Sequence, residues 1–216
     1  MMRLPPFYLI AGNAWLLERL VPLGVRLVQL RVKQPHSAAA LREQTLRALA
    51  CCRRHGAQLV LNDHWRLALE LGIDCVHLGQ EDLDHADLSA LRRAGVRYGL
   101  SSHDEAELER ALGVAPAYVA LGPVWPTRLK AMRWAPQGLE RVRAWKARVG
   151  VVPLVAIGGI TPERMPQALA AGADSAAVVT DIQQAADPCV RTRQWLAAAA
   201  AWETARLAQS PRTDCA

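Results

Sequence analysis

Gln29, Arg31 and Lys33 occupy alternate positions in the run Gln29-Leu30-Arg31-Val32-Lys33. An extended chain repeats every two residues, so the three polar groups share one face. Two cations and an amide near a strand end suit a diphosphate, with Arg offering a planar fork and Lys a mobile point charge. A strand terminus with solvated cations has the same pattern, and spacing alone does not separate the two. Asn62-Asp63 and Gly79-Gln80-Glu81-Asp82 follow two further apolar runs. Asp63 and Asp82 together suit Mg²⁺, which prefers a few carboxylates completed by water and phosphate oxygens. Either Asp alone reads equally well as a helix cap.

Three more segments carry candidate groups. In Gly99-Leu100-Ser101-Ser102-His103, adjacent side chains on an extended chain point apart, so a Ser–His nucleophile is discounted and Ser101 reads as a hydrogen-bond donor to substrate. His77 lies inside an apolar run and reads as a satisfied core histidine. The loop from Gly122 to Lys130 is stiffened by two prolines and offers Thr127 and Lys130; standing alone it would be a surface loop. Trp125 within it reads as packing and not as a base-stacking platform. Gly158-Gly159 and Val179-Thr180 end the last two apolar runs, where glycine admits an anion to the backbone and Thr180 adds a hydroxyl.

These clusters need elements to position them. Short apolar runs recur at Phe7–Ile10, Arg26–Leu30, Gln58–Leu61, Cys75–Leu78, Arg97–Leu100, Tyr118–Leu121, Leu154–Ile157 and Ser175–Val179. Between them lie helix-like stretches at Asn13–Val21, Ala38–His55, Trp65–Leu71, Asp87–Ala94, Asp104–Leu112, Pro136–Arg148, Pro162–Ala171 and Asp187–Leu207, with Asp104 and Thr161 as N-caps and Pro162 opening the seventh helix. Alternating units with unbroken apolar strands predict a closed parallel (β/α)₈ TIM barrel of the α/β class. A doubly wound open sheet is the runner-up; it would want a G-x-G-x-x-G turn, which Ala11-Gly12-Asn13-Ala14 lacks. The polar clusters follow the strands, which in such a barrel is the catalytic face, and the loops after strands seven and eight are its usual phosphate site.

The 216 residues fit one barrel domain spanning 1–216, with 208–216 expected to form a flexible tail. Hydrophobic residues at 51% and charged residues at 21% place the chain among globular proteins able to bury a core. A net charge of +6 favours anionic partners. The arginines at 91–97, 141–148 and 191–193 look like solvated helix faces, which weighs against nucleic acid and toward small phosphorylated molecules. Five cysteines without a C-x-x-C pair argue against a disulfide or zinc framework. No run approaches the ~20 apolar residues of a membrane span. A reduced, cytoplasmic enzyme is therefore expected.

In this order, Gln29-Leu30-Arg31-Val32-Lys33, Asn62-Asp63, His77 to Asp82, Gly99-Leu100-Ser101, Gly122-Pro123, Thr127, Lys130 and Ile157-Gly158-Gly159-Ile160 resemble the thiamine phosphate synthase family from about Phe7 to Thr180. The resemblance implies that the enzyme joins an aminopyrimidine diphosphate to a thiazole phosphate, releasing diphosphate, with dissociation ahead of attack and no protein nucleophile. It implies that Gln29, Leu30, Arg31, Val32, Lys33, Asn62, Ser101 and Lys130 hold the pyrimidine diphosphate. Arg31, Lys33, Ser101 and Lys130 would be the catalytic groups among them. Asp63 and Asp82 would hold Mg²⁺, and Thr127, Arg128, Leu129, Gly159, Val179 and Thr180 the thiazole phosphate. Family members pair as dimers, so a homodimer is also implied. Two positions depart from the pattern: Leu129 stands where the family often has a hydroxyl residue, and Thr180 replaces a common Ser. A related thiazole tautomerase would not need the cations and carboxylates of the diphosphate site. A non-catalytic barrel binding thiamine precursors would not need both anion sites.

Overall fold

The computed structural model describes residues 2–127 and 134–209. Its strands are β1 (Phe7–Ala11), β2 (Leu27–Leu30), β3 (Gln58–Asn62), β4 (Cys75–Leu78), β5 (Arg97–Ser102), β6 (Tyr118–Leu121), β7 (Leu154–Ile157) and β8 (Ser175–Val178). The helices between and after them are α1 (Ala14–Leu20), α2 (Ala38–His55), α3 (Trp65–Leu71), α4 (Gln80–Leu83), α5 (Leu88–Arg93), α6 (Glu105–Leu112), α7 (Gly138–Val149), α8 (Met165–Ala170), α9 (Thr180–Gln183) and α10 (Pro188–Gln209). All strands run parallel, each beside its sequence neighbour, and β8 closes on β1 with Phe7 opposite Ala176. The chain is a closed TIM barrel.

Side chains alternate between two apolar compartments, as the strand period requires. Tyr8, Ile10, Leu27, Val60, Cys75 and Tyr118 fill the barrel interior. Their neighbours Leu9, Val28, Leu61, Val76 and Val119 turn outward into the layer beneath the helices. Trp195 of the Ala-rich α10 is buried there and stacks on Phe7, with ring centroids 5.2 Å apart. Helix starts follow local chemistry: Asn13, Ser37 and Asp104 accept from the backbone N–H three residues on, at 2.8, 3.1 and 2.9 Å. Gly56, at φ 66°, ends α2 in the left-handed region.

Some boundaries differ from the sequence reading. The expected helix at Pro162 opens with a tight turn in which Thr161 O accepts from Arg164 N and Met165 N, at 3.0 and 2.9 Å, so regular helix begins only at Met165. Strand β2 starts at Leu27 and not at Arg26. Residues 208 and 209 of the expected tail belong to α10, and 210–216 lie outside the described residues. The one-turn helices α4 and α9 were not anticipated. Among the described residues no helix is long and apolar enough to cross a membrane.

Candidate active site

The barrel carries the C-terminal ends of its strands to one mouth, and most of the polar clusters lie there. Leu30, expected at the pyrimidine diphosphate, can offer the mouth only its backbone, because its side chain is fully buried in the outer layer. Arg31 and Lys33 lie past the end of β2, in the loop leading to α2. Arg31 N donates to Ala11 O at 2.8 Å, which fixes the start of that loop. Its guanidinium is half-buried, and lost hydration lowers its pKa while the charge of Asp63 partly restores it. Val32 packs against the core and Lys33 is exposed.

Asp63 adopts φ 63°, unusual for a residue with a side chain. The backbone is held there from both sides, since Asp63 N donates to His77 O at 2.9 Å and Asp63 O accepts from Trp65 N at 2.8 Å. The carboxyl of Asp63 stands against that of Asp82, with Lys33 and Arg31 close enough to act on it. Burial first, and then the neighbouring Asp82, push the Asp63 pKa up to about 6. Asp82 also receives Gly79 N at 3.0 Å and so caps α4. The capping reading of that residue thus holds. Two crowded carboxylates, neither in an ion pair among the described residues, are a donor set that a hard divalent cation fits. No group of three or more His, Cys, Asp or Glu suited to a metal occurs among the described residues. The remaining ligands would thus be water and substrate oxygens.

Ser101 lies near the end of β5, half-buried, with its Oγ 2.9 Å from His77 Nε2. His77 is buried, as expected of a core histidine, and its Nδ1 lies 2.9 Å from Tyr118 Oη. Burial, and next the charge of Arg31, lower its pKa to about 4, so the ring is neutral near pH 7. Gln29 and Asn62 are both buried at the ends of β2 and β3. The discounted Ser–His pair separates as expected: Ser102 faces outward, accepting from Trp145 Nε1 at 3.0 Å and donating to Ala120 O at 3.2 Å. His103 instead pairs with Glu107 at 2.8 Å and stacks on Trp134, centroids 5.5 Å apart.

At the other side of the mouth the loops after β6 and β7 run against each other. Val124 N and Trp125 N donate to Ile157 O and Gly158 O, at 2.9 and 3.0 Å. Gly158 and Gly159 have φ 97° and 64°. A Cβ on Gly159 would lie 2.5 Å from Pro126 O and 2.7 Å from Trp125 Cβ. This glycine is therefore required by loop packing and backbone geometry as well as by any anion. Thr180 opens α9, and the next residue, Asp181, receives Arg191 Nε and Nη2 at 2.8 and 2.9 Å and Trp195 Nε1 at 2.8 Å. That cluster ties Val179-Thr180 to α10, and a short helix after the eighth strand is a recurrent part of phosphate sites in this fold. Thr127 is half-buried at the edge of the β6 loop; Arg128, Leu129 and Lys130 lie outside the described residues.

The sequence reading gave no role to Tyr8, Tyr118 and Arg164, and named Gln80 only as part of its cluster. Gln80 Nε2 donates to Ser101 O at 2.6 Å, and Arg164 Nη1 to Gly159 O at 2.7 Å. Tyr8 and Tyr118 were detectable in principle: two of the chain's three tyrosines lie in the apolar strands β1 and β6, and a buried phenol needs a partner.

A family model described as thiamine monophosphate synthase matches residues 8–182. A thiamine-phosphate synthase of Rhizobium etli is 63% identical over 203 residues, covering 94% of this chain and 99% of its own. One from Klebsiella pneumoniae is 46% identical, covering 92% and 93%. Among solved structures, thiamine phosphate pyrophosphorylase from Pyrococcus furiosus superposes with a TM-score of 0.79 at 23% identity, over 91% of this chain and 96% of that one, which speaks for the fold. The match to the family model and the near-full-length identity to curated synthases place the chain in the thiamine monophosphate synthase family of transferases.

Proposed function

We propose that this enzyme condenses 4-amino-2-methyl-5-hydroxymethylpyrimidine diphosphate with 4-methyl-5-(2-hydroxyethyl)thiazole phosphate, giving thiamine phosphate and diphosphate. The observation that carries the reading is the division of one barrel mouth into two anion-suited ends. Around β2 to β4 two cations flank a carboxylate pair. At the other end two positive-φ glycines follow β7 and a one-turn helix follows β8. A thiazole tautomerase or a simple carrier leaves the carboxylate pair without a task, and the curated relatives are named as synthases.

In this reading Gln29 and Ser101 orient the aminopyrimidine, while Arg31 and Lys33, with Asn62 and Lys130, hold the diphosphate. Asp63 and Asp82 would hold Mg²⁺, which when bound supplies positive charge against the diphosphate. Thr127, Gly159, Val179 and Thr180, joined by Arg128 and Leu129, hold the thiazole phosphate. The C–O bond to diphosphate breaks with its electron pair leaving on oxygen, and the thiazole nitrogen lone pair forms the new C–N bond. Arg31 and Lys33 face the charge that grows on the leaving group, and such preorganised stabilisation is worth several kcal/mol. The phosphate anchor at the far end makes the attack effectively intramolecular. No side chain has to act as nucleophile.

Several exterior arginines are engaged by acids on the helical surface, as in Arg42–Glu70 and Arg141–Glu105, which supports small phosphorylated substrates over a nucleic acid. Cys51, Cys52, Cys75 and Cys189 are free thiols, in keeping with a reducing, cytoplasmic setting. The purified protein, given both substrates and Mg²⁺, is expected to yield thiamine phosphate by mass spectrometry. Consumption of neither substrate would overturn the reading.

A further inference from the structure

We infer that Tyr8, Tyr118 and His77 form a positioning relay through the barrel interior that fixes Ser101 as a hydrogen-bond donor toward the pyrimidine ring. The relay runs from one predicted substrate contact to another. Gln29 Nε2 donates to Tyr8 Oη at 2.9 Å, Tyr8 Oη lies 3.0 Å from Tyr118 Oη, Tyr118 Oη 2.9 Å from His77 Nδ1, and His77 Nε2 2.9 Å from Ser101 Oγ. Gln29, Tyr8, Tyr118 and His77 are all buried. The participants come from β2, β1, β6, β4 and β5, so only barrel closure brings them together.

Counting protons gives the chain a direction. Tyr8 Oη already accepts from the Gln29 amide, and its own hydrogen has one partner within reach, the oxygen of Tyr118. Tyr118 then gives its hydrogen to His77 Nδ1, because the phenol has no second hydrogen and the lone pair of Nδ1 is the acceptor facing it. A neutral imidazole with Nδ1 accepting carries its proton on Nε2. That N–H donates to Ser101 Oγ. The Ser101 hydroxyl hydrogen is thereby left to point into the mouth. In the opposite polarity Ser101 would donate inward to His77, and the Tyr8 hydrogen would be buried without an acceptor unless the Gln29 amide were turned over. Such a loss costs about 1–3 kcal/mol.

Space for the relay is made by Gly99, which pairs with both His77 and Tyr118 across the sheet. A Cβ on Gly99 would lie 2.0 Å from Tyr118 Cζ, far inside van der Waals contact. Resting on the proposed reaction, the consequence is a rule for recognition. The ring atom that meets Ser101 carries a lone pair, as a pyrimidine nitrogen does, whereas the exocyclic amino group is left to an acceptor such as the Gln29 amide oxygen.

The first test is ¹⁵N-correlated NMR of the free protein, with the His77 resonances assigned by their loss in His77→Gln. The expected result is the Nε2–H tautomer. An Nδ1–H tautomer would reverse the relay and overturn the inference, whether or not the protein turns out to be a synthase. The second is a double-mutant cycle. Tyr118→Phe is expected to raise KM for the pyrimidine diphosphate about tenfold, leaving KM for the thiazole phosphate within twofold. Added to Ser101→Ala, it should cost almost nothing more. Equal losses with and without Ser101, or a shift in both KM values, would mean that Tyr118 is merely structural. Should Tyr118→Phe fold poorly, Tyr8→Phe makes the same cycle. If no product forms, calorimetric Kd values replace KM, so that failure of the reaction is told apart from failure of the relay.

Discussion

Arg164 donates to the carbonyl oxygen of Gly159 at 2.7 Å while its guanidinium stands over the Trp125 ring, 5.6 Å from the centroid. One side chain thus fastens the β7 loop to the β6 loop beside the proposed thiazole phosphate site. Arg164→Ala releases both contacts without removing a phosphate ligand. KM for the thiazole phosphate is expected to rise about tenfold or more, in line with ~1.5–3 kcal/mol for a hydrogen bond made by a charged group, with kcat at saturation nearly kept. An unchanged KM, or an equal rise for the pyrimidine substrate, would detach Arg164 from that loop's function.

The Asp63 carboxyl is driven up to about 6 by burial and by Asp82, so protons and a divalent cation compete for it. Chelation is expected to abolish turnover, and Asp63→Asn or Asp82→Asn to cost at least ~100-fold at limiting Mg²⁺. The apparent Mg²⁺ affinity should fall as pH drops below about 6. Near-wild-type rates in either variant at limiting Mg²⁺ would refute the metal assignment.

Gly99→Ala drives a methyl group against the ring of Tyr118, 2.0 Å from its Cζ. A destabilisation of ~3 kcal/mol is expected, at the upper end for overpacking a core. Tyr118→Ala should remove most of that added penalty, making the pair strongly non-additive in thermal unfolding. Simple additivity would place the clash elsewhere.

The His77 pKa is lowered to about 4 in the folded protein, against an unfolded value near 6.5. Between these values the unfolded chain binds the extra proton, so stability attached to this group is complete above pH ~6.5 and is lost as pH falls toward 4. The loss amounts to ~3 kcal/mol. His77→Gln does not titrate, so the gap in unfolding free energy between wild type and variant should shrink by that order from pH 7 to pH 4. The raised Asp63 contributes with opposite sign and cancels in the difference. A gap that stays constant with pH would show that His77 does not titrate with folding.

The amino-acid sequence by itself determined the elements and where the chemistry gathers. Parallel strands covered on both faces are written as apolar runs, and Asn13, Ser37 and Asp104 mark helix starts by a hydrogen bond reaching only three residues. These signals are local, so β1 to β8 and the positions of Arg31, Asp63, Asp82, Ser101 and Gly159 after or at the ends of strands were legible in the sequence, whereas the roles given to those residues came from the family resemblance. Helices α4 and α9 were not, because four residues hold too little period to register. Only the closed barrel decided the rest. It brings Tyr8 within 3.0 Å of Tyr118, 110 residues away, seats the Tyr118 ring where Gly99 has no side chain, and sets a carboxylate from the β3 loop against one from α4. Which residue meets which across the interior depends on strand register and on closure of β8 against β1, and neither leaves a trace within any one segment of the chain.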